Sequence, residues 1–556
     1  MNASPRPRSP RAISLLTVAE CAGVPATPGG SRGLIDPLVA VTGVCLDSRA
    51  IIPGDLYAAL PGANVHGASF VAKAVELGAV AVLTDQPGAS LLALSELPVP
   101  VLVVPDPRAR LGQVAALVYG YASRELTMLG VTGTNGKTTT AYLLDSALRV
   151  MGHVTGLIGT IETRIGEQRI KSVRTTPESA DLHALFAVML EDGVDTCTME
   201  VSSHALALHR VDGVRFDVAA FTNLSQDHLD FHGSMEEYYL AKASLFTAER
   251  AVQAVVCVDD EWGQRLARES QIPVVSVSSR EGGPKADWQI HADGPGAFDF
   301  ELIGHDAELS LRSALPGDFN RVNTAVAALV LLAAGYTSAS IERALVADPQ
   351  VPGRMERVIL DDVLALEGAD PGSMPLAVVD FAHTPDAVTA ALSALRHNTS
   401  GSLIVVIGAG GDRDPGKRTA MGAAAASRAD LVFVTDDNPR SEDPATIRAA
   451  LMRGALAQDQ TTARPAPGRI RDVGDRGTAI RAAVAIAGRG DAVVILGKGH
   501  ESGQEIAGVV HPFDDRAELR AALIERAASS GPRAFRDPVG NRRGPAPADV
   551  TRGEAR

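Results

Sequence analysis

The sequence predicts an α/β protein of three domains: a small N-terminal α/β domain, a central doubly wound domain and a C-terminal Rossmann-like domain. Short apolar runs alternate with segments of helical spacing along most of the 556 residues, as in parallel sheets covered by helices. A glycine-rich loop at residues 130–140 joins one such run to a helix. The length suggests about three or four domains, and Pro352 and Gly353 offer a hinge before the last one.

The two ends of the chain differ in composition from the rest. Residues 1–37 and 529–556 are rich in Pro, Arg, Gly and Ser, which predicts a flexible head with a short helix and a disordered tail, both outside the core. Between them we expect a first domain at residues 38–110, a central domain at 111–350 and a third domain at 351–528.

Each domain contains short apolar runs with the composition of buried parallel strands. A helical segment near residues 69–77 lies between the strands of the first domain. The predicted strands are 41–46, 80–83 and 101–104 in the first domain, 126–131, 196–201, 218–221 and 254–258 in the second, and 376–379, 403–407, 431–434 and 492–496 in the third.

Composition excludes several classes of protein. A net charge of −14 argues against a nucleic-acid surface, and no apolar run approaches the roughly 20 residues that span a bilayer. The four cysteines lack C-x-x-C spacing, so neither a zinc site nor a disulfide framework is indicated, and a reducing cytoplasm fits. We therefore expect a cytoplasmic protein without membrane insertion.

The loop after the strand at 126–131 is predicted to bind the phosphates of a nucleoside triphosphate. Backbone N–H groups at a helix N-terminus attract anions, and Lys137 adds a mobile positive charge. The Thr138 hydroxyl is placed to ligate Mg2+. Val131 stands where the strict Walker pattern needs glycine, which disfavours an ordinary motor or GTPase. The predicted loop residues are Gly133, Thr134, Asn135, Gly136, Lys137, Thr138 and Thr139.

Acidic and imidazole side chains follow two further predicted strands. Glu200 ends one strand and His228 follows the other, and such strand ends converge on one edge of an open α/β sheet. Glu200 is expected to hold Mg2+, and His228 could ligate a second metal ion or be a structural histidine. Ser234 and Glu237 form a capping box that starts a helix carrying Lys242. Spacing alone favours a solvated role for Lys242.

Later segments carry polar residues at further strand ends and loops. Asn320 could contact a base or cap its helix, Arg354 lies in the proposed hinge, and Asp380 and His383 close a strand. A second glycine-rich loop at residues 408–417 contains Arg413 between two aspartates. Each segment alone could be turn chemistry, but together they predict one large cleft.

The order of these motifs is similar to that of the Mur ligase family. The series GTNGKTT, MEVSSHAL, FTNLSQDHLDFH, the helix with Lys242, GDFN, PGRME, DFAHTPD, GGDRDPGKR, DNPR and GKGHE spans roughly residues 40–525. Within the family, the set most resembles the enzyme that adds the third amino acid to UDP-N-acetylmuramoyl-L-alanyl-D-glutamate in peptidoglycan synthesis. The resemblance implies a monomeric ATPase-type ligase that acts on small molecules.

The resemblance also implies a role for each matching residue. It assigns the ATP phosphates to Lys137 and its loop, and it makes Lys242 a carbamylated lysine whose CO2-derived anionic group helps hold Mg2+. The implied magnesium ligands are Thr138, Glu200, His228 and carbamylated Lys242. The implied nucleotide clamp is Asn320, Arg354, Asp380 and His383. The implied contacts to the UDP-linked peptide are Thr175, Thr176, Ser202 and Arg210, with Leu46 and Ser48 at the uridine end.

Three positions depart from the family pattern. Phe381 stands where relatives often carry tyrosine, Leu208 replaces an expected glutamine, and His66 replaces an expected aspartate. These differences affect the expected substrate contacts and leave the implied reaction unchanged.

The DNPR segment argues for the amino acid that is added. Arg440, with Arg413 nearby, can grip a second carboxylate through paired N–H bonds, and meso-2,6-diaminopimelate carries that group whereas lysine lacks it. A simple Asn-Pro turn is the alternative, and L-lysine or another diamino acid stays open. The residues implied in diaminopimelate binding are Arg413, Asp437, Asn438, Pro439, Arg440, Gly497 and Glu501.

Three hypotheses of function remain at this point. The first is an amide ligase in which ATP converts the D-glutamate side carboxylate into an acyl phosphate that an amine then attacks. The second is a folylpolyglutamate-synthase-like ligase, which would not need a uridine-binding first domain. The third is a nucleotide-dependent scaffold, which would leave Arg413, Arg440 and Glu501 without a role.

Overall fold

A computed structural model describes residues 5–24, 31–32, 35–93, 97–360, 374–460 and 468–530. Residues 531–556, which make up most of the predicted tail, lie outside this description, as do parts of the predicted head. Among the described helices, none has the length and apolarity that a bilayer span requires.

The first domain is a five-stranded sheet with helices on both faces. Its four longer strands run parallel, and a two-stranded ladder of Ile13–Ser14 and Ala40–Val41 lies beside it. The strands in sheet order are Ser31–Arg32, Val101–Val103, Ala81–Thr84, Asp55–Ala58 and Gly43–Cys45. The helices are Leu15–Ala22, Gly67–Phe70 (3-10), Val71–Glu76, Gln86–Leu91 and Pro107–Val118.

The short helix expected in a flexible head belongs to this domain's core. Leu15 and Val18 of helix Leu15–Ala22 are fully buried and pack with Val114 of helix Pro107–Val118. The latter helix also crosses the boundary expected at residues 110 and 111. The expectation that residues 15–22 lie outside the core is therefore wrong, and their helical apolar spacing was the signal for it.

The central domain is built on an eleven-stranded sheet. Its inner strands run parallel and the outermost strands at each edge are antiparallel. The strands in sheet order are Gln168–Lys171, Glu162–Ile165, Thr155–Ile158, Thr196–Glu200, Thr127–Thr132, Phe216–Phe221, Ala251–Cys257, Val274–Ser278, Trp288–His291, Asp299–Ile303 and Glu308–Arg312.

Helices cover both faces of this sheet. Met128 and Leu129, neighbours on one strand, lie in separate apolar clusters on opposite faces, which explains why the strand is apolar throughout instead of alternating. The helices are Ala122–Arg124 (3-10), Lys137–Val150, Ser179–Glu191, Ser203–Ala207, Leu229–His232, Met235–Ala243, Glu261–Glu269, Asp318–Ala333 and Ser338–Leu345.

The third domain has a six-stranded, mostly parallel sheet between two layers of helices, with a separate hairpin of Gly503–Ile506 and Val509–Pro512. The strands in sheet order are Glu356–Arg357 (antiparallel), Leu376–Asp380, Ala492–Leu496, Leu403–Ile407, Leu431–Val434 and Ile470–Asp472. The helices are Pro385–His397, Gly416–Arg428, Pro444–Asp459, Arg476–Ile486 and Asp515–Ser530.

The proposed hinge at Pro352 and Gly353 is closely packed against the third domain. Gly353 has φ +64°, and a Cβ there would lie 2.1 Å from the backbone nitrogen of His500. Two residues later, the Met355 N–H donates to the Asp380 carboxylate at 2.7 Å. The segment therefore leads directly into the first strand of the third sheet, and only glycine fits at its tightest point.

Candidate active site

One cleft of about 560 Å³ lies where the carboxyl ends of the central and third sheets face each other. Open α/β sheets bind ligands at these ends, so both domains contribute polar residues to it. The predicted residues that line it are Thr134, Asn135, Gly136, Lys137, Thr138, Thr139, Thr175, Thr176, Glu200, Ser202, Arg210, His228, Lys242, Arg354, His383, Arg413, Asp437, Asn438, Arg440, Gly497 and Glu501.

The glycine-rich loop is held in shape by the segment after strand Phe216–Phe221. The backbone N–H of Thr134 donates to the carbonyl of Asn223 at 2.8 Å, and that of Asn135 donates to the Asn223 side chain at 2.9 Å. Gly133 has φ +147°, and a Cβ there would lie 1.9 Å from the Thr222 hydroxyl. The glycine is therefore required by close packing behind the loop, not by contact with the cleft.

Lys137 is folded over this loop. Its ammonium donates to the carbonyls of Gly133 and Thr134 at 2.9 and 2.8 Å, and burial lowers its pKa. Residues 136–139, at the start of helix Lys137–Val150, line the cleft, and no side chain caps this helix N-terminus. This arrangement offers donors and a cation to an anion, as the phosphate-binding prediction requires.

Glu200 lies beside the Thr138 hydroxyl, which donates to it at 2.9 Å. Glu200 as a whole is 1% exposed, and its carboxylate also accepts the backbone N–H of Thr160 at 2.7 Å. A buried carboxylate next to a hydroxyl at the phosphate loop is a pair of hard oxygen ligands, which Mg2+ prefers. The donor set therefore fits this ion at the predicted position.

His228 adopts a left-handed backbone conformation, with φ +54°. Although 45% of its side chain is exposed, partial burial lowers the pKa of its imidazole to about 4, so the ring is neutral near pH 7 and has a lone pair for a metal ion. Its Nε2 lies 3.5 Å from the Asp227 carboxylate. Within the described residues, no three His, Cys, Asp or Glu side chains form a metal-binding group, so a complete ligand set would need the other donors proposed below.

Lys242 is buried, with 1% of its surface exposed, and not solvated as its spacing favoured. Its Nζ donates to the Gly133 carbonyl at 2.8 Å and lies 4.8 Å from the ring centre of Tyr238. Burial, followed by the nearby Lys137, lowers its pKa well below the usual value. A neutral amine at this point is nucleophilic toward CO2.

Two predicted nucleotide contacts lie behind the cleft instead of lining it. The side-chain amide of Asn320 donates to the Pro316 carbonyl, and its oxygen accepts from Asn323 at 3.0 Å. The Asp380 carboxylate accepts the backbone N–H groups of Met355 and Ala382. The hydrogen bonds of both side chains are therefore made to other groups of the protein behind the cleft.

Arg354 reaches from the third domain toward the phosphate loop. Its guanidinium lies 3.4 Å from the Thr138 hydroxyl and 4.4 Å from the ring centre of Phe381. Its buried Nε has no hydrogen-bond partner among the described residues. An unsatisfied buried donor beside the loop suits an anionic ligand. His383, which also lines the cleft, donates from its Nδ1 to the Phe381 carbonyl at 2.9 Å.

The third domain supplies the opposite wall. The Arg440 guanidinium donates to the Gly411 carbonyl at 2.6 Å and lies 3.5 Å from Glu505. Arg413 is exposed and makes no ion pair with any described residue. Pro439 does not line the cleft, since its carbonyl packs against Gly411, where a Cβ would lie 1.9 Å away. Arg413 is thus the more available cation of the two arginines.

The wall nearest the first domain carries Thr176, Ser202 and Arg210. The Thr176 hydroxyl donates to the Glu200 carbonyl at 2.8 Å and accepts from the Ser202 N–H. Arg210 lies 3.0 Å from one oxygen of Glu178, and Arg108 of the first domain lies 3.0 Å from the other. This carboxylate therefore connects the cleft to helix Pro107–Val118.

Leu46 and Ser48 lie in the first domain and outside the cleft. Leu46 packs against the apolar cluster of that domain, and Ser48 is buried. The expected uridine contacts are therefore separated from the phosphate loop, as the two ends of a long substrate would require.

Sequence reasoning assigned no role to several residues that line the cleft. Thr160 follows the strand Thr155–Ile158, and Asp227 directly precedes His228 in the chain. Arg174 and Lys417 add positive charge at two further walls. Their positions next to predicted residues were the available signal.

Comparisons with known proteins agree with this arrangement. Profiles match the chain in order: "Mur ligase family, catalytic domain" at residues 40–119, "Mur ligase middle domain" at 131–331, and "Mur ligase, glutamate ligase domain" at 366–499. A Streptomyces avermitilis protein named UDP-N-acetylmuramoyl-L-alanyl-D-glutamate–2,6-diaminopimelate ligase is 51% identical over 93% of this chain and 98% of its own length. The chain belongs to the Mur ligase family.

Solved structures of Mur ligase relatives share this architecture. A structure of a UDP-N-acetylmuramoyl-L-alanyl-D-glutamate–2,6-diaminopimelate ligase has a TM-score of 0.62 and 30% identity, over 93% of this chain and 99% of its own. A Mycobacterium tuberculosis folylpolyglutamate synthase has a TM-score of 0.54 and 18% identity, over 70% of this chain and 92% of its own, which shows likeness of fold alone. The family and three-domain fold predicted from sequence are confirmed.

Proposed function

We propose that this Mur ligase is an ATP-dependent amide ligase that joins meso-2,6-diaminopimelate to the D-glutamate of UDP-N-acetylmuramoyl-L-alanyl-D-glutamate in peptidoglycan synthesis. The observation that carries the proposal is the single cleft in which the Lys137 loop faces Arg413 and Glu501 of the third domain. A phosphate-binding loop and an amino-acid-binding wall in one cavity are what an ATP-driven condensation needs.

The reaction runs in two balanced steps. The D-glutamate side carboxylate attacks the terminal phosphorus of ATP, which forms an acyl phosphate and releases ADP. The amine of the diamino acid then attacks the acyl carbon, which forms the amide and releases inorganic phosphate and a proton. Lys137 and the loop N–H groups stabilise the charge that develops on the transferred phosphoryl group. Arg354, with its unpartnered Nε, adds a second cation from the third domain.

The proposed magnesium ligands are Thr138, Glu200, His228 and a carbamate on Lys242. The ion would neutralise phosphate charge and polarise the phosphoryl oxygens when bound. Lys242 supports this assignment because its amine is buried and has a lowered pKa, whereas an ammonium would repel the ion. Carbamylation by CO2 converts that amine into an anionic oxygen donor.

The third domain is proposed to select the amino acid. Arg413 and Arg440 would grip the distal carboxylate of meso-diaminopimelate, and Glu501 with Gly497 would receive its distal ammonium. A Cβ at Gly497 would lie 2.8 Å from the Asp437 carboxylate, so the glycine keeps this corner open. Because L-lysine has no distal carboxylate, it would forgo the charge-assisted hydrogen bonds to Arg413 and Arg440, which disfavours it.

The UDP end is proposed to bind in the first domain near Leu46 and Ser48. Thr175, Thr176, Ser202 and Arg210 would then hold the peptide stem that leads to the reacting carboxylate. The first-domain match at residues 40–119 favours this reading over a folylpolyglutamate-synthase-like ligase. A scaffold role would leave the charged third-domain wall without a ligand. We further propose that the enzyme acts as a monomer in the cytoplasm, where ATP is available.

A competition assay tests the proposal. The purified protein receives ATP, Mg2+ and the UDP-muramoyl dipeptide together with equal amounts of meso-diaminopimelate, L-lysine and L-ornithine. The expected result is one product with the mass of the diaminopimelate adduct and one ADP per amide. A product containing mainly lysine would overturn the amino-acid assignment, and the absence of ADP formation would overturn the ligase assignment.

A further inference from the structure

A fully buried lysine lies beneath the wall that is proposed to receive the diamino acid. Lys498, in the loop after strand Ala492–Leu496, is 0% exposed. Its Nζ lies 3.0 Å from Asn438 Oδ1, 3.4 Å from Glu501 Oε2 and 3.5 Å from Asp437 Oδ1. One ammonium thus connects the two loops that carry DNPR and GKGHE.

Of the groups that face Glu501, Asp437 opposes the ionisation of its carboxyl group, whereas Lys498 and Asn438 favour it. Burial, followed by Asp437, raises the pKa of Glu501, while Lys498 and a hydrogen bond from Asn438 act in the opposite direction. Arg476 also lies in this region, but its guanidinium is bound to Asp515 through two bonds of 2.7 Å. Lys498 is therefore the cation in direct contact with both carboxylates.

The same lysine fixes the geometry of the wall. Asn438 accepts from Lys498 and donates its side-chain amide to Glu501 at 2.7 Å. The Asn438 oxygen also accepts the backbone N–H of Glu505 at 3.0 Å, which attaches the hairpin strand Gly503–Ile506. Removing the ammonium would leave Asp437 and Glu501 facing each other without a shared counter-charge.

We propose that Lys498 is a positioning residue that holds the Glu501 carboxylate in place for the distal ammonium of the diamino acid. The proposal rests on the proposed function, since it takes Glu501 as the group that meets that ammonium. Lys498 acts from beneath and has no contact with the cleft, because its side chain has no exposed surface. It therefore determines amino-acid selectivity through Glu501 and Asn438.

Two amino acids separate this role from a purely structural one. Meso-diaminopimelate and 2-aminopimelate share the reacting amine and the distal carboxylate, and only the first has a distal ammonium. A variant that perturbs Glu501 weakens binding of the first and spares the second. A variant that merely loosens the domain weakens both.

The test is Lys498→Met, with exposed Lys73→Met as the control that removes another lysine–carboxylate pair. We expect KM for meso-diaminopimelate to rise about 10- to 100-fold in Lys498→Met, as for the loss of a buried charge-assisted contact. KM for 2-aminopimelate, ATP and the UDP-linked dipeptide should change less than about threefold, within the range of surface substitutions. Lys73→Met should match the wild type.

The pH dependence provides a second measurement. Without Lys498, the carboxyl group of Glu501 holds its proton to higher pH, so KM for meso-diaminopimelate in the variant should fall as pH is raised from 6.5 to 8.5. The wild type should show a flatter profile. An equal rise of KM for both amino acids, an unchanged KM for meso-diaminopimelate, or a profile parallel to that of the wild type would overturn the proposal.

Misfolding of the variant and failure of the proposed function can both be distinguished from failure of the Lys498 proposal. If Lys498→Met does not fold, the charge-balanced variant Asp437→Asn/Lys498→Met is measured in the same way. A rise of KM for meso-diaminopimelate without a matching rise for 2-aminopimelate then supports the proposal, whereas an equal rise for both amino acids, or an unchanged preference for meso-diaminopimelate, overturns it. If the wild type itself does not prefer meso-diaminopimelate, the proposed function fails independently of any variant.

Discussion

Lys137 and Lys242 donate to the same acceptor, the carbonyl oxygen of Gly133, at 2.9 and 2.8 Å. Two amines around one oxygen repel each other when both are charged, and Lys137 is among the causes that lower the pKa of Lys242. A nucleotide phosphate would draw Lys137 away, while carbamylation would change the sign of charge at Lys242. The two lysines are therefore coupled through one carbonyl, and their substitutions should have different consequences.

Lys137→Ala should abolish acyl phosphate formation. The cation that balances the transferred phosphoryl group is lost, so kcat/KM should fall at least about 1,000-fold, as for removal of a preorganised electrostatic contact. The assay follows ADP release with both substrates present, and circular dichroism checks that the fold is retained. Normal turnover in this variant would contradict the assignment of the loop.

Lys242→Met should lose activity and gain stability. A lysine whose pKa is lowered in the folded state disfavours folding at every pH below its unfolded value near 10.5, so the cost is present at pH 7. Replacing it should raise the free energy of unfolding by about 1 kcal/mol, the scale of relieving a functional but unfavourable buried group. Chemical denaturation in CO2-free buffer measures this change.

The carbamate itself can be observed directly. With 13C-labelled bicarbonate, the wild type should give a carbamate carbonyl resonance that Lys242→Met lacks. A resonance of equal intensity in both proteins would assign the modification to another amine.

His183 should contribute to acid sensitivity. Burial lowers the pKa of His183 to about 4, whereas a histidine in the unfolded chain titrates near 6.5. Between these two pH values only the unfolded chain binds the proton. The contribution of neutral His183 to the free energy of unfolding is therefore fully present above pH 6.5 and is lost as the pH falls to about 4. The loss at pH 4 should reach about 3 kcal/mol.

His183→Leu should flatten this dependence, while the exposed His305→Leu should leave it unchanged. Urea unfolding at intervals between pH 4 and pH 7.5 gives the slopes. Identical slopes in His183→Leu and the wild type would show that other histidines account for the loss.

Gly353→Ala should push the segment at residues 352–353 away from the third domain and so displace that domain's residues in the cleft. The new Cβ would meet backbone atoms of Gly499 and His500 at 2.2 and 2.1 Å, and backbone cannot move aside as a flexible side chain can. We expect activity to fall more than about tenfold, in line with the effect of misplacing catalytic groups by an ångström.

Gly152→Ala is the matched control for Gly353→Ala. Its φ of +95° imposes the same kind of backbone strain, but no atom lies within 4 Å of its added Cβ. It should cost about 1 kcal/mol of stability and leave kcat unchanged. Equal kinetic effects of the two substitutions would mean that strain, and not the domain contact, is responsible.

Arg413→Ala should weaken discrimination between diamino acids. We expect KM for meso-diaminopimelate to rise about 10- to 100-fold because a paired charge contact to the distal carboxylate is lost. Lysine, which lacks that carboxylate, should be affected far less. The exposed Arg428 on the following helix provides the control Arg428→Ala, which should behave as the wild type. A similar change with lysine would remove Arg413 from the selectivity site.

Strand ends were the part of the site most readily predicted from sequence. Glu200 and His228 were expected at one cleft because parallel strands deliver their carboxyl ends to the same edge of a sheet, and both line it. Lys137 followed from the loop motif, whose chemistry depends on residues adjacent in the chain. Local patterns sufficed wherever the position of a residue depends mainly on its own element.

Tertiary packing decided the remaining positions. Helix spacing alone favoured a solvated Lys242, because the burial of its amine depends on the phosphate loop, whose Gly133 carbonyl only the fold brings to the Lys242 Nζ. Asp380 was expected to contact nucleotide, yet one of its oxygens accepts the backbone N–H of Met355 beside the hinge and the other accepts that of Ala382. The helix Leu15–Ala22 was assigned to a head because its flanking composition outweighed eight apolar-patterned residues. Each of these outcomes depends on a partner distant in sequence.

The Glu178 carboxylate joins Arg108 of the first domain to Arg210 at the cleft, and this contact holds the first domain at a fixed distance from the cleft. With the uridine end proposed at Leu46 and Ser48 and the reacting carboxylate proposed at the cleft, this contact would keep the two sites a constant distance apart. We therefore expect a precursor whose stem is one residue too short or too long to reach only one of the two sites, so that the length of the peptide would contribute to substrate selection.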